Sequence, residues 1–151
     1  MELLRKLNHK GNGAVYVMDS PGEFYDSIEK MKEETEVVTS FTTKSHVPLL
    51  LVFIRDKADL LAKMDEVKRM IDSNTILWFT YPKKSSKRYK SDITRDAGWD
   101  PLGAMGYEPV RQIALDEDWS ALRFKAVATI KKLTRNSSMT LSTEAKRRLE
   151  N

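Results

Sequence analysis

Short apolar runs recur along the chain and are separated by amphipathic or charged segments. These runs lie at 13–18, 36–42, 49–54, 75–80, 109–115 and 119–127. Runs of this length, rich in β-branched and aromatic residues, are typical of strands. The third and fourth runs are apolar at nearly every position, which favours parallel strands that are covered on both faces.

Two of the intervening segments carry apolar residues at helical spacing, which predicts helices that each bury one face. The residues on these faces are Phe24, Ile28 and Met31 in the first segment and Leu60, Met64, Val67 and Ile71 in the second. Ser20, Pro21 and Glu23 form the pattern of a capping box with proline in the first turn. Either Asp56 or Asp59 can open the second helix.

A third helix is predicted after the polar segment that follows the fourth strand. Ser91 or Asp92 can start it, and the Asp100-Pro101 pair can restart or kink it. Gly103 and Gly106 mark its end. The last two apolar runs are joined by the short turn 116–118, which predicts an antiparallel hairpin.

Strands that alternate with helices predict a three-layer α/β domain with a mostly parallel six-stranded sheet. We expect a single domain over residues 1–130, because the chain of 151 residues is long enough for one core. Residues 131–151 lose the apolar periodicity and are predicted to be a polar, basic C-terminal extension.

Composition excludes several kinds of site. The chain has no cysteine, which rules out disulfides and thiolate metal sites, and its two histidines, His9 and His46, lie far apart. The sequence therefore predicts no metal site and no cofactor. The N-terminus lacks the apolar core of a signal peptide, and the run 47–54 is too short to span a bilayer. These features predict a cytoplasmic protein that does not associate with a membrane.

The formal net charge of +4 conceals an uneven distribution. Residues 82–95 carry six positive charges and one negative charge, and residues 126–151 carry six positive and two negative charges. The rest of the chain is therefore acidic. Concentrated positive charge can attract phosphates or nucleic acid, and it can equally be a solubilising surface.

Three blocks of sequence carry a resemblance to a known family. They are LWFTYPKKSS at 77–86, SDITRDAGW at 91–99 and EPVRQIALDEDWSALRFK at 108–125. With these blocks the chain resembles small bacterial proteins that are grouped only as a domain of unknown function. The resemblance covers roughly the first five-sixths of the chain. It implies a fold but no established activity.

The order of predicted elements also resembles a trimmed Rossmann-like methyltransferase fold. In that fold the final strand runs antiparallel and inserts between its neighbours. The resemblance, together with the closing hairpin, predicts the spatial strand order 2-1-3-4-6-5, with the sixth strand antiparallel. Sheet coordinates that place 119–125 at an edge would contradict this order.

A working methyltransferase of this kind needs a glycine-rich turn after the first strand and an acidic residue after the second. The first strand ends in MDSPGEF, which holds the single glycine Gly22, and the second is followed by Thr42, Thr43 and Lys44. Both features are therefore missing. A divergent S-adenosylmethionine-dependent methyltransferase stays an alternative that rests on topology.

The basic loop 83–91, after the fourth strand, is the main candidate site, because ligands of open α/β sheets bind beyond the carboxyl ends of the strands. A following helix would add backbone N–H groups that favour an anion. We therefore predict a non-catalytic ligand-binding or regulatory domain that takes a phosphate-bearing small molecule here. The candidate residues are Lys83, Lys84, Ser85, Ser86, Lys87, Arg88 and Arg95.

Two other interpretations of this loop stay open. The first is a solvated surface loop without a ligand. The second is a nucleic-acid-associated module, in which the loop and the basic extension contact phosphates and Tyr81 and Tyr89 stack on unpaired bases.

Other conspicuous residues have structural interpretations. The acidic run 116–118 is typical of a polar turn. Trp78, Trp99 and Trp119 are predicted to anchor the core with their indole N–H groups bonded to backbone. His46 has no carboxylate or nucleophile near it in the sequence, which disfavours a role as a general base.

Overall fold

The computed structural model describes residues 2–11, 13–40 and 47–129. Its strands are β1 (Val15–Met18), β2 (Val37–Val38), β3 (Leu49–Phe53), β4 (Ile76–Pro82), β5 (Tyr107–Ala114) and β6 (Trp119–Ala126). Its α-helices are α1 (Glu2–Lys6), α2 (Tyr25–Lys32), α3 (Lys57–Met70) and α4 (Asp100–Ala104). Two 3₁₀ turns, Gly22–Phe24 and Val127–Thr129, complete the set.

The six strands form one sheet in the order β2-β1-β3-β4-β6-β5. The first four pair in parallel, whereas β6 runs antiparallel to both β4 and β5. The predicted strand order and the insertion of the sixth strand are therefore confirmed. The fully buried β3 occupies the middle of the parallel part, as its continuous apolarity predicts.

Each face of the sheet is covered by its own set of helices. One face packs against α3 and α4 and includes Met64, Leu50 and Phe79 in a single apolar cluster. The other face packs against α1 and α2, where Leu7 and Met31 are fully buried. The result is the predicted three-layer arrangement.

The N-terminal helix α1 was not predicted. It is only five residues long, and Leu4 and Leu7 bury against the sheet. The Trp78 indole N–H donates to the backbone oxygen of Leu7, with 3.0 Å between the two atoms. An isolated helix of this length is not stable in water, so these contacts hold it in place.

The predicted helix from Ser91 or Asp92 is wrong. Thr94 and Ala97 exchange backbone hydrogen bonds of 3.0 and 3.4 Å, and Gly98 takes a φ of +102°, so no helix forms between β4 and α4. The restart at Asp100-Pro101 is confirmed, because α4 begins there with proline in its first turn. Asp92 instead accepts a hydrogen bond of 2.8 Å from the backbone N–H of Lys57.

The two longer helices start differently. Asp56 caps α3 and accepts a 2.8 Å hydrogen bond from the Asp59 N–H, as predicted. The capping box at Ser20 and Glu23 is wrong, since the 3₁₀ turn comes first and no side-chain cap bond forms there. The Glu23 carboxylate makes long-range contacts instead.

Several predictions concern residues outside the described ranges. These are the basic extension 131–151, the residues Thr42, Thr43 and Lys44, and His46. Within the described part of the chain, no helix combines the length and apolarity that crossing a membrane requires.

Candidate functional site

A cleft opens where the strand order reverses. The segment after β1 leads to β2 on one side, whereas the segment after β3 leads to β4 on the other side, so the two segments diverge beyond the carboxyl ends of β1 and β3. The cleft has a volume of about 420 Å³ and is here called the switch-point cleft. Its charged lining consists of Asp19, Arg55, Asp56, Asp59 and Lys63.

Lys63 links three elements at this cleft. Its ammonium donates to the Phe53 backbone oxygen at 2.6 Å and lies 3.1 Å from Asp59 and 3.2 Å from Asp19. The Lys63 side chain is only 14% exposed, whereas that of Asp19 is 62% exposed. Through these contacts the largely buried Lys63 ties the ends of β1 and β3 to α3. The Asp19 carboxylate still faces solvent.

The turn after β1 has an uncommon backbone conformation. Asp19 has a φ of +56°, in the left-handed region that aspartate tolerates better than most residues. The chain therefore reverses immediately after β1, and Ser20 and Pro21 line the cleft. The turn therefore forms with aspartate, not glycine, at the position of positive φ.

Aromatic rings form the apolar wall of the switch-point cleft. Phe53 and Trp119 line it directly, with their ring centroids 5.4 Å apart in an edge-to-face arrangement. Phe24 packs behind Phe53 at 4.9 Å, and Tyr89 packs against Trp119 at 4.9 Å. Such contacts fix the ring positions. Phe53 and Trp119 are each only 2% exposed, so they border the cleft with little free surface.

One carboxylate oxygen of Glu23 is contacted by three side chains, two from the loop after β4 and one from the start of β6. Tyr89 Oη lies 2.6 Å, Trp119 Nε1 3.2 Å and Arg88 Nη1 3.3 Å from Glu23 Oε2. Desolvation on its own would raise the pKa of Glu23, but the hydrogen bonds from Tyr89, Trp119, its own backbone and Arg88 lower it to about 2. We call this group the Glu23 junction.

The indole of Trp119 therefore bonds to a side chain, contrary to the predicted backbone partner. The prediction is confirmed for Trp78 and for Trp99, whose indole donates to the Thr94 backbone oxygen at 2.7 Å.

The acidic run 116–118 is a turn, since Asp116 Oδ1 accepts from the backbone N–H groups of Asp118 and Trp119. Across residues 2–11, 13–40 and 47–129, no cluster of acidic or histidine residues could hold a metal ion.

The structure separates the seven predicted site residues. Four of them, Lys83, Lys84, Ser85 and Arg95, line a second cleft of about 430 Å³. We call it the basic cleft. The remaining lining residues are Tyr81, Thr94, Asp96, Gln112 and Ser120.

The other three predicted residues do not belong to the basic cleft. The Ser86 hydroxyl donates to Asp118 at 2.7 Å and accepts from the N–H groups of Arg88 and Tyr89. Arg88 joins the Glu23 junction, and Lys87 is exposed and lines neither cleft. The loop is thus folded against the β5–β6 hairpin, and the helix start expected to attract an anion is missing there.

The prediction that Tyr81 stacks on a nucleic-acid base is wrong. Tyr81 is 2% exposed, and its ring packs edge-to-face on Trp99 at 5.4 Å. The ring of Tyr89 is already engaged with Trp119 on one side and lies 5.7 Å from the Arg55 guanidinium. The loop therefore offers less aromatic surface than the sequence indicates.

Sequence reasoning missed the charged residues of the switch-point cleft. Asp19 follows β1, and Arg55 and Asp56 follow β3. Their positions within three residues of the ends of two neighbouring parallel strands are a signal that the sequence does contain. Lys63 could not be found this way, because it reaches the cleft from the second turn of α3.

Comparison with solved structures identifies the fold. A SAM-dependent methyltransferase from Aquifex aeolicus is similar over 83% of this chain and 88% of its own, with a TM-score of 0.54 and 11% identity. A structure of DhpI in complex with SAH is similar over 82% of this chain and 81% of its own, with a TM-score of 0.52 and 8% identity.

The chain thus has the Rossmann-like fold of these methyltransferases. At such low identities the likeness concerns the fold alone. No protein-family model and no curated protein matches the chain. The predicted methyltransferase-type topology is confirmed, and membership of the small bacterial family stays a prediction.

Proposed function

We propose that this chain binds S-adenosylmethionine, or its product S-adenosylhomocysteine, in the switch-point cleft, as a divergent member of the methyltransferase fold. The observation that carries the proposal is the position of the cleft. It lies beyond the carboxyl ends of β1 and β3, where open α/β sheets bind their ligands. The similar DhpI structure was solved with SAH.

The chemistry of the cleft lining supports the same ligand. The small exposed parts of Phe53 and Trp119 give the cleft an apolar region against which the adenine base can pack. Three carboxylates and two cations line the cleft, so the lining is one charge negative at neutral pH. S-adenosylmethionine carries a sulfonium and an ammonium against one carboxylate, and this net positive charge is complementary. The volume of about 420 Å³ also lies in the range of small-molecule sites.

Individual side chains have complementary roles in this proposal. The exposed Asp19 carboxylate can accept hydrogen bonds from ribose hydroxyls or from the ammonium group. Arg55 can pair with the ligand carboxylate. Because the turn after β1 has no glycine pair, we expect side chains to supply contacts that backbone N–H groups make in a glycine-rich site. We assign no described residue a role in methyl transfer.

Calorimetric titration with both adenosyl ligands tests the proposal. We expect saturable heat for the native chain and a loss of affinity of about tenfold or more for Asp19→Asn, since the charge is removed while asparagine keeps the left-handed turn. Asp65→Asn is the matched control, because Asp65 is an exposed acid on α3 outside the cleft. Absence of heat at millimolar ligand, or an equal loss in both variants, would contradict the proposal.

A further inference from the structure

The basic cleft is a second concave site on the carboxyl edge of the sheet. It lies at the end of β4, beside the β5–β6 hairpin and the segment 94–96. It shares no lining residue with the switch-point cleft. The two clefts are therefore separate sites by their lining.

A buried phenol lies among the lining residues of this cleft. Tyr81 is 2% exposed, and its oxygen accepts a 3.0 Å hydrogen bond from Gln112 Nε2. Burial raises the pKa of Tyr81, although the charge of Arg95 acts in the opposite direction. The phenol therefore stays neutral, and its own hydrogen has no acceptor within residues 2–11, 13–40 and 47–129. It can donate to a ligand.

The charges around the cleft are strongly biased towards cations. Lys83, Lys84 and Arg95 face a single acid, Asp96. Arg95 contacts that acid through one nitrogen at 3.4 Å in an exposed pair, which leaves most of its donors available. The side chains of the two lysines have no ion-pair partner in the described ranges of the chain.

Three hydroxyl groups complete the donor set. Ser85, Thr94 and Ser120 line the cleft, and none of their side chains is hydrogen-bonded within the described part of the molecule. Ser120 is 6% exposed. The pairing of β6 with β4 and β5 fixes its position. With Tyr81, four hydroxyl donors and three cations converge on one concavity.

We propose that the basic cleft binds the phosphate group of a phosphate-bearing small molecule. A terminal phosphate presents three acceptor oxygens and close to two negative charges, which match a set of converging donors. One of the donors is a buried phenol at the base of the concavity. A compact terminal phosphate can reach it more easily than the phosphodiester backbone of a nucleic acid, which favours the small molecule. The lysines, Arg95 and the hydroxyls then share the binding, with Tyr81 as the innermost donor.

The experiment is a calorimetric titration with inorganic pyrophosphate at low and physiological salt, on the full chain and three variants. Lys83→Gln/Lys84→Gln removes two cations from the cleft. Lys87→Gln/Lys90→Gln is the matched control, because it removes two cations from the same loop, and neither residue lines the cleft. Tyr81→Phe removes the buried donor and keeps the ring that packs on Trp99. Thermal unfolding of each variant establishes that it is folded.

We expect saturable binding that weakens about tenfold or more in the cleft double variant and about threefold or more in Tyr81→Phe, with the control within about twofold of the native chain. Equal losses in the two double variants would overturn the proposal, since binding would then follow loop charge alone. Absence of heat at about 10 mM pyrophosphate would also overturn it. Tighter binding of a single-stranded RNA oligonucleotide that weakens equally in both double variants would assign the loop to nucleic acid instead.

Discussion

The hydroxyl of Tyr89 donates a hydrogen bond to the carboxylate of Glu23, with 2.6 Å between Oη and Oε2. The bond joins the 3₁₀ turn before α2 to the end of the basic loop. Because Trp119 bonds to the same oxygen, three distant segments of the chain meet at the Glu23 junction. This junction lies beside the wall of the switch-point cleft and holds Trp119 in place there.

Replacing Glu23 with glutamine should destabilise the protein. The amide can still accept a hydrogen bond, but it loses the charge that strengthens the bonds from Tyr89 and Trp119. We expect a loss of about 1 kcal/mol in the free energy of unfolding, measured by urea denaturation. Glu66→Gln, an exposed acid on α3, is the control and should change stability by less than about 0.5 kcal/mol. Equal stability of the two variants would show that the junction adds nothing.

The same junction should make stability depend on pH. The folded pKa of Glu23 is about 2, below its ordinary value of 4.5, so the unfolded chain binds more protons between these values. The stability that the native chain gains from ionised Glu23 is present above about pH 4.5 and is lost as pH falls towards 2. Urea midpoints of the native chain and Glu23→Gln should converge over this range. Parallel pH profiles would contradict the pKa assignment.

Asp92 should stabilise α3 although it belongs to another segment. Its carboxylate accepts from the Lys57 N–H in the first turn, which would otherwise have no partner in the helix. We expect Asp92→Ala to cost about 1 kcal/mol in chemical denaturation, as loss of a cap does. Asp96→Ala breaks only an exposed ion pair and should cost less than about 0.5 kcal/mol. The reverse ranking would refute the capping role.

Gly98 should tolerate substitution poorly. A Cβ there would lie 2.7 Å from Ile93 Cγ1, and its φ of +102° is strained for other residues. Ile93 is buried and cannot move aside easily. Gly106 is the matched control, with a φ of +80° and no atom within 4 Å of its added Cβ. We expect Gly98→Ala to lose about 2 kcal/mol or more and Gly106→Ala about 1 kcal/mol, measured as urea midpoints. Equal losses would argue against the steric contact.

The strands were predictable because their signals are local, and their order followed from the resemblance to the methyltransferase fold and from the closing hairpin. Continuous apolar runs locate β3 and β4, and the short turn at 116–118 requires the last two strands to pair. The helix α1 carries no comparable signal, since five residues are held only by contacts such as the one between Leu7 and Trp78. The helix predicted after Ser91 is absent although its local signal is present. Its apolar spacing is helical, but Gly98 and the Thr94–Ala97 pairing override it.

The arrangement of the predicted site residues followed from the sequence only in part, because it depends on contacts between residues that are remote in sequence. Charge density located the basic loop, and Lys83, Lys84 and Arg95 do converge there. The direction of Ser86 and Arg88 depends on Asp118 and Glu23, which are remote in sequence, so no local pattern could separate them from the rest.

Binding of an adenosyl ligand at the switch-point cleft is the central claim, and NMR titration of ¹⁵N-labelled protein with S-adenosylhomocysteine tests it most directly. The indole of Trp119 lines the cleft, whereas those of Trp78 and Trp99 are buried elsewhere and serve as internal controls. We predict that the Trp119 indole resonance and the backbone amides of Asp19 and Arg55 shift in a saturable way, while the other two indoles stay unchanged. Unchanged resonances at about 5 mM ligand, or shifts confined to residues outside the cleft, would contradict the claim.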